Sequence, residues 1–401
     1  MQWIDGGITA AKGYKASGEH LGIRKNPGKR DVALVVSDQP ATVAACFTKN
    51  RVKGAPLTVT KQHIQNGVAQ AIICNSGNAN TCNDNGIEIA DGMCALVEQY
   101  TGIKAEDVVV ASTGVIGWPM TLKPFAEGFP LLMESLSETG GHHAAKAIMT
   151  TDTVAKEVAV QFIMGGKTCT LGGMSKGSGM IHPNMATMLC FLTTDAAIPA
   201  DMLQTALSAV VKDTFNMLSV DGDTSTNDTV AVLANGMAGN VWSNADETVF
   251  QEALYAVCEK LCRIMAKDGE GATKLITCVV TGAKDEQSAK AAARGVISSA
   301  LVKSAMFGAD ANWGREMCAI GYSGADVDVE KIDIQFKSKA GLLEVCEMGR
   351  SIPFDEAEAS DILREDEIDI LVQCRDGEAK ATAWGCDLTY DYVRINGDYR
   401  T

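Results

Sequence analysis

Aromatic residues make up only 5% of this 401-residue sequence, histidines number five, and no stretch approaches 18 uninterrupted apolar residues. The last shortage excludes a membrane-spanning helix. No Lys/Arg-rich block offsets the 50 acidic side chains, which outnumber the 35 basic ones for a net charge of −15. A nucleic-acid binder needs a basic face to displace counterions, so no nucleic-acid partner is expected, nor an anionic membrane. The 13 cysteines are scattered singly, without a Cys-x-x-Cys pair. They predict buried, reduced thiols of a cytoplasmic protein rather than a disulfide or zinc framework. Met1 to His20 carries Asp5, Lys12, Lys15 and Glu19 and has no apolar core, so it does not read as a secretory signal. Histidines are too few and wrongly spaced for a metal site: His142 and His143 are adjacent, and read as part of a surface loop.

What is present is an ordinary globular balance, 46% apolar and 21% charged, in a chain long enough for two domains. With 39 glycines and few rings, close backbone packing is expected to build the core. Apolar runs at Asp31–Val36, Gln70–Cys74 and Val108–Ala111 read as buried strands. Glu157–Met164 and Thr168–Leu171 read as a hairpin turning at Gly165-Gly166. Leu275–Thr281, Ile332–Phe336 and Ile368–Gln373 are further strands, and Ala379–Trp384 alternates like an edge strand. Asp246–Ala266 is a helix with Phe250, Leu254, Val257, Leu261 and Ile264 on one face, and Asn244 with Glu247 at its start gives capping-box spacing. Asp201–Phe215 and Ser288–Lys303 are similar helices; Cys258 and Cys262 read as core positions.

Several catalytic motifs fail on inspection. Gly166-Lys167-Thr168 lacks the earlier glycine of a phosphate loop, since position 161 is Gln, and Gly177-Ser178-Gly179 has His182 where a dinucleotide fingerprint needs Gly. Gly173-Met174-Ser175-Lys176-Gly177 matches a nucleophile elbow, but Gly177, Gly179 and Pro183 block the helix that must follow. No histidine follows His182, so the required downstream acid and histidine are missing too. What remains is Thr187, where a Gly/Pro-rich loop gives way to the apolar run Met188–Leu192. A threonine becomes a good nucleophile when it is an N-terminus and its own amine serves as base, which requires the chain to cut itself first. By itself, a threonine heading a strand is commonly structural.

Lys176–Leu189 (KGSGMIHPNMATML) followed by TTDA, Ser112–Gly117 (STGVIG), Gly269–Lys274 (GEGATK), Gly308–Arg315 (GADANWGR) and the ending Ile395–Thr401 (INGDYRT) run in order along essentially the whole chain. Together they resemble the glutamate N-acetyltransferase/ornithine acetyltransferase family of arginine biosynthesis. The resemblance implies a two-domain layered α/β sandwich with mixed sheets. It implies self-cleavage between Ala186 and Thr187 into an α chain (1–186) and a β chain (187–401), assembled as two α and two β chains. It implies an acetyl group carried on Thr187, with Thr113 and Gly114 stabilising the oxyanion. Thr150, Lys176, Thr187, Glu270, Asn396 and Thr401 match substrate-contacting positions. The implied substrates are N2-acetylornithine and glutamate, without cofactor or metal. Acetyl-CoA serves as co-substrate in bifunctional members. His182 receives no role, because the family varies there.

The residues themselves admit plainer readings. Thr113-Gly114 also fits a strand-terminating turn, Lys176 a solvated loop lysine, and Glu270 a helix-end carboxylate. Asn396 and Thr401 matter only if the C-terminus folds into the site. Two other functions compete: a self-cleaving aminopeptidase of related architecture, which uses Ser where this chain has Thr187, and a silent binding protein with an intact Ala186–Thr187 bond.

Overall fold

The computed structural model describes residues 1–182 and 188–398; Ala186, Thr187 and Thr401 lie outside the described residues. Among those described, nine strands form a first sheet. Eight run side by side in the order Gln2–Ile4, Lys156–Met164, Lys167–Lys176, Leu189–Thr194, Thr229–Ala234, Val32–Phe47, Val68–Asn75 and Val108–Ser112, and Tyr14–Glu19 pairs with Val32–Ser37. Seven more form a second sheet, ordered Arg350–Ser351, Gly341–Glu347, Asp333–Ser338, Glu367–Gln373, Leu275–Ala283, Ala379–Cys386 and Leu218–Ser219. Both sheets are mixed. Leu189–Thr194 and Thr229–Ala234 run parallel, as do Val68–Asn75 and Val108–Ser112, and in the second sheet Leu275–Ala283 and Glu367–Gln373.

One core joins the two sheets. Helix Glu247–Lys267 buries Phe250, Leu254, Val257 and Leu261. It packs on Lys156–Met164 of the first sheet and on Ala379–Cys386 of the second. Each such fully buried side chain contributes about 1.5–3 kcal/mol. Helices Gly86–Thr101 and Lys123–Glu134 cover the same face of the first sheet at its Val108–Ser112 edge, and Gly141–Ala147 covers the opposite face. The apolar stretches Val108–Ser112, Leu189–Thr194 and Thr229–Ala234 are therefore buried throughout. Small residues do bring backbones together: a side chain at Gly172 would overlap the carbonyl of Gly7, and one at Gly140 that of Ala16.

The hairpin turns where expected, with Gly165 and Gly166 both at positive φ (55° and 71°), the conformation of a type I′ turn. Other expectations are corrected. The capping box is Ser243 with Asp246, not Asn244 with Glu247; it closes a 3₁₀ turn, Asn244–Asp246, that leads into the helix. The helix read as Ser288–Lys303 is two, Glu286–Ser298 and Ala300–Gly308, because Ser299 leaves helical geometry and caps the second. Ala379–Cys386 is next to the sheet edge, bordered by the two-residue strand Leu218–Ser219. His142 and His143 are exposed on helix Gly141–Ala147 rather than in a loop, and the His142 ring meets Glu157 at 2.6 Å. All cysteines are free, and all but Cys82 and Cys318 are buried.

Candidate active site

The parallel strands Val68–Asn75 and Val108–Ser112 end side by side, and the loops that leave them are stitched together. The Thr113 amide donates to the Asn75 carbonyl (2.9 Å) and the Ala79 amide to that of Val115 (2.9 Å). Gly114 has φ +122°, and a Cβ there would lie 2.7 Å from the carbonyl carbon of Gly77 and 2.9 Å from the amide nitrogen of Asn78. Only glycine fits both that conformation and that approach. From another part of the chain, Asn227 locks the two loops: its Nδ2 donates to the carbonyls of Ala79 (2.5 Å) and Ser112 (2.9 Å), and its Oδ1 accepts from Thr81 (2.7 Å).

Lys176 is the last residue of its strand and is 8% exposed, so the solvated-loop reading is wrong. It sits in a buried charge network. Lys156 Nζ bridges Asp152 (2.6 Å) and Asp268 (2.5 Å). The amides of Gly177 (2.7 Å) and Thr150 (2.9 Å) donate to the two Asp152 carboxylate oxygens. Burial alone would raise the Asp152 pKa, but the charges of Lys156 and Lys176 and these donors hold it well below the usual carboxylate range. Burial lowers the Lys176 pKa; Asp152 opposes that shift, while Lys156 and Arg24 add to it.

Acids form the other end. Glu270 donates its amide to the Ser178 carbonyl (2.8 Å), its carboxylate lies against Gly179, and Asn396 Nδ2 donates to its Oε2 (2.8 Å). Asp221 accepts from the amides of Met180 (2.6 Å) and Ile181 (2.8 Å), and Tyr392 OH reaches it at 3.3 Å. Burial, with Asp221 nearby, pushes the Tyr392 pKa up. Asn396 and Tyr392 come from helix Tyr390–Asp398, so the C-terminal segment does fold onto the site.

These parts line one cleft of about 140 Å³, which gathers Thr113, Gly114, Thr150, Lys176, Glu270 and Asn396. A smaller recess shares Thr113 and Lys176 and continues to Asp228 and Met188, the residue after Thr187 in sequence. All six sequence-predicted site residues that are described thus meet in one place. His182 lies elsewhere, its ring against Ser219 (3.0 Å) and Arg294 (3.0 Å). Among the described residues, no group of three or more His, Cys, Asp or Glu is arranged to hold a metal.

Sequence reasoning missed Asp152, Lys156, Asp268, Asp221, Asn227 and Tyr392. Asp152 and Lys156 lie outside the motifs, and their spacing of four carries no signal because they are not on a helix. Asp268 adjoins the GEGATK stretch.

Comparison with known proteins supplies the class. The ArgJ family profile matches residues 15–401. The arginine biosynthesis bifunctional protein ArgJ of Caldanaerobacter subterraneus subsp. tengcongensis is 51% identical over 405 residues, covering 100% of both chains. The glutamate N-acetyltransferase of Methanocaldococcus jannaschii is 44% identical over 409 residues, again covering 100% of both. A solved argJ structure from Bacillus halodurans is 48% identical over 52% of this chain and 97% of its own, with a TM-score of 0.49. Identity of this degree over the whole length makes the protein an acetyltransferase of arginine biosynthesis. The chain belongs to the ArgJ family. No helix among the described residues is long and apolar enough to cross a membrane.

Proposed function

We propose that this chain cuts itself between Ala186 and Thr187, moves an acetyl group from N2-acetylornithine to glutamate through an ester on Thr187, and accepts acetyl-CoA as a second donor. The observation that carries this reading is the meeting, in one cleft, of Thr113-Gly114, Lys176 and the Glu270–Asn396 pair. Met188, lining the adjoining recess, is next in sequence to the proposed nucleophile.

Cleavage frees the Thr187 amine, whose ordinary pKa of about 7.7–8 suits a base near neutral pH. The amine takes the hydroxyl proton as the oxygen attacks the acetyl carbonyl. Thr113 and Gly114 stabilise the negative charge that develops on the carbonyl oxygen. The C–N bond then breaks, the proton passes to the departing amine of ornithine, and the acetyl stays on Thr187. Glutamate repeats the steps in reverse, its α-amine attacking the ester. Both substrates share an α-amino acid end, so one pocket holds each in turn. Lys176, with Thr150 beside it, pairs with the α-carboxylate. Glu270, fixed by Asn396, faces the side-chain ammonium of ornithine, and Thr401 completes the substrate contacts.

The cut chain is divided into residues 1–186 and 187–401, and two copies of each assemble. Strand Lys167–Lys176 pairs with Leu189–Thr194, from the other side of the proposed cut, so one sheet holds the two pieces together.

The test is to mix enzyme with N2-acetylornithine without glutamate, quench in acid and weigh the fragments. One acetyl group is expected on the peptide beginning at Thr187, removed by adding glutamate, with parallel double-reciprocal plots. Thr187→Ala should remain one chain. Intersecting plots with an unmodified peptide would mean direct transfer in a ternary complex, and release of ornithine beyond one equivalent per enzyme without glutamate would mean a hydrolase.

A further inference from the structure

Thr150 borders two cavities. On one side is the cleft; on the other is a surface pocket of about 440 Å³ whose lining includes Arg24, Lys29, Arg30, Lys146 and Met149. Four cations around one pocket stand out in a chain of net charge −15. They come from the loop 24–30 and from helix Gly141–Ala147. The loop packs four basic residues into seven positions, a short basic block hidden by the overall acidic excess and a correction to the sequence reading.

The four are held differently. The Arg24 guanidinium is fixed by the Ser76 carbonyl (2.9 and 2.6 Å) and that of Met149, and Arg30 by Glu19 (2.7 Å) and the Gly18 carbonyl. Lys29 and Lys146 are exposed and make no ion pair with a described residue. The acid in the lining, Asp152, is already committed to Lys156. Lys25, on the same loop, lies over the Trp118 ring at 5.5 Å and ties the basic loop to the loop carrying Gly114. The pocket is therefore an open cationic surface beside the acyl-transfer cleft, and N2-acetylornithine, without a phosphate, has nothing to place there.

We propose that this pocket holds the phosphates of acetyl-CoA, so that the flexible arm crosses Thr150 and delivers the thioester to the cleft. Phosphate oxygens match Lys and Arg donors by charge and geometry. The proposal rests on the reading that acetyl-CoA is a donor, and extends it by saying where that donor is recognised.

The experiment compares wild type with Lys29→Glu/Lys146→Glu, two exposed positions outside the catalytic cleft; matching thermal midpoints establish that both fold. Calorimetry with CoA should show binding weakened by at least about tenfold in the variant, the size of one lost charge-assisted hydrogen bond. The KM for acetyl-CoA should rise by a similar factor, while turnover of N2-acetylornithine and of acetylpantetheine, which has no phosphate on its arm's far end beyond the pantetheine, stays unchanged. Unaltered CoA binding in the variant, or pyrophosphate binding wild type as tightly as CoA does, overturns the proposal. If wild type binds CoA through these lysines but never turns over acetyl-CoA, the donor reading fails and the pocket assignment stands. If CoA does not bind wild type, the pocket assignment fails whatever acetyl-CoA does in turnover.

Discussion

At its lysine end the cleft is backed, behind Lys176 and Thr150, by charges that folding has buried. Lys156 and Asp152 have no exposed side-chain surface, and Asp268 has almost none. At its acidic end, Asp221 and Glu270 are held by a few hydrogen bonds, some of them from helix Tyr390–Asp398, which has no buried residue. The lysine end is thus fixed by the folding energy of the first sheet and what packs on it. The acidic end is fixed by contacts whose loss leaves the core untouched. A buried pair is costly to break because it strands an uncompensated charge, whereas a surface contact breaks cheaply. Substitutions at the first end should therefore cost stability, and those at the second should cost function alone.

The largest effect should come from Lys156→Met. It leaves Asp152 and Asp268 facing each other without their shared cation, at an expected cost of about 3–5 kcal/mol in urea unfolding at neutral pH. The pH dependence has a definite sign. Asp152 is held below its ordinary pKa, so its contribution is present above the usual carboxylate range and lost as pH falls through the folded value. Acidification should therefore narrow the gap between wild type and variant. A constant gap down to acid would mean that the network does not hold Asp152 ionised.

Thr113→Ala comes next. The Thr113 amide already serves the Asn75 carbonyl, and Asn227 braces the loops on either side, so the variant should fold normally. Steady-state kinetics should show kcat lower by roughly 10²–10³-fold, the usual cost of one oxyanion donor. A change confined to KM would make Thr113 a positioning residue instead.

At both ends the strands that carry the site were more open to a reading of the sequence than the side chains that brace it, for physical reasons. Buried strands announce themselves as apolar runs, so Val108–Ser112 and Leu275–Ala283 were legible, as was the hairpin at two glycines. Strand Val32–Phe47 was read only to Val36, because Ser37-Asp38-Gln39-Pro40 looks like a turn; the strand instead bends there, with a register shift between Val36 and Ala41. Helix Gly86–Thr101 went unread although Ile89, Ala90, Met93, Cys94 and Val97 repeat at helical spacing, since Gly86 and Gly92 weaken its helical signal and the exposed Ile87 blurs its apolar face. Family motifs located Lys176, Glu270 and Asn396. Asp221 and Tyr392 had no local signal: they are 171 residues apart, and their pairing exists only once the C-terminal helix has docked.

Glu270→Gln separates charge from geometry at the acidic end. The amide oxygen of Gln still accepts from Asn396, so stability should not change. On the proposed role of Glu270 toward the ornithine ammonium, losing its charge should raise the KM for N2-acetylornithine by about 10–100-fold, as for a lost charge-assisted hydrogen bond. The KM for glutamate, whose own side chain is anionic, should stay level or fall. An equal rise for both substrates would remove Glu270 from side-chain recognition.

The smallest effect is expected from Tyr392→Phe. Its O–H···Asp221 contact is long, at 3.3 Å, and Asp221 keeps the Met180 and Ile181 amides without it. Burial and Asp221 keep the phenol protonated, so it remains a donor through neutral pH and its removal should add no pH dependence there. A neutral-donor bond of this kind is worth about 0.5–1.5 kcal/mol, so kcat/KM should fall by less than about tenfold. The thermal midpoint should not move, because the helix that carries Tyr392 buries nothing in the core. A kinetic loss as large as that of Thr113→Ala, or a loss of stability like that of Lys156→Met, would show that docking of the helix holds the whole acidic end. The two ends would then be equally tight, and the helix would have to be counted as part of the folded core around the cleft.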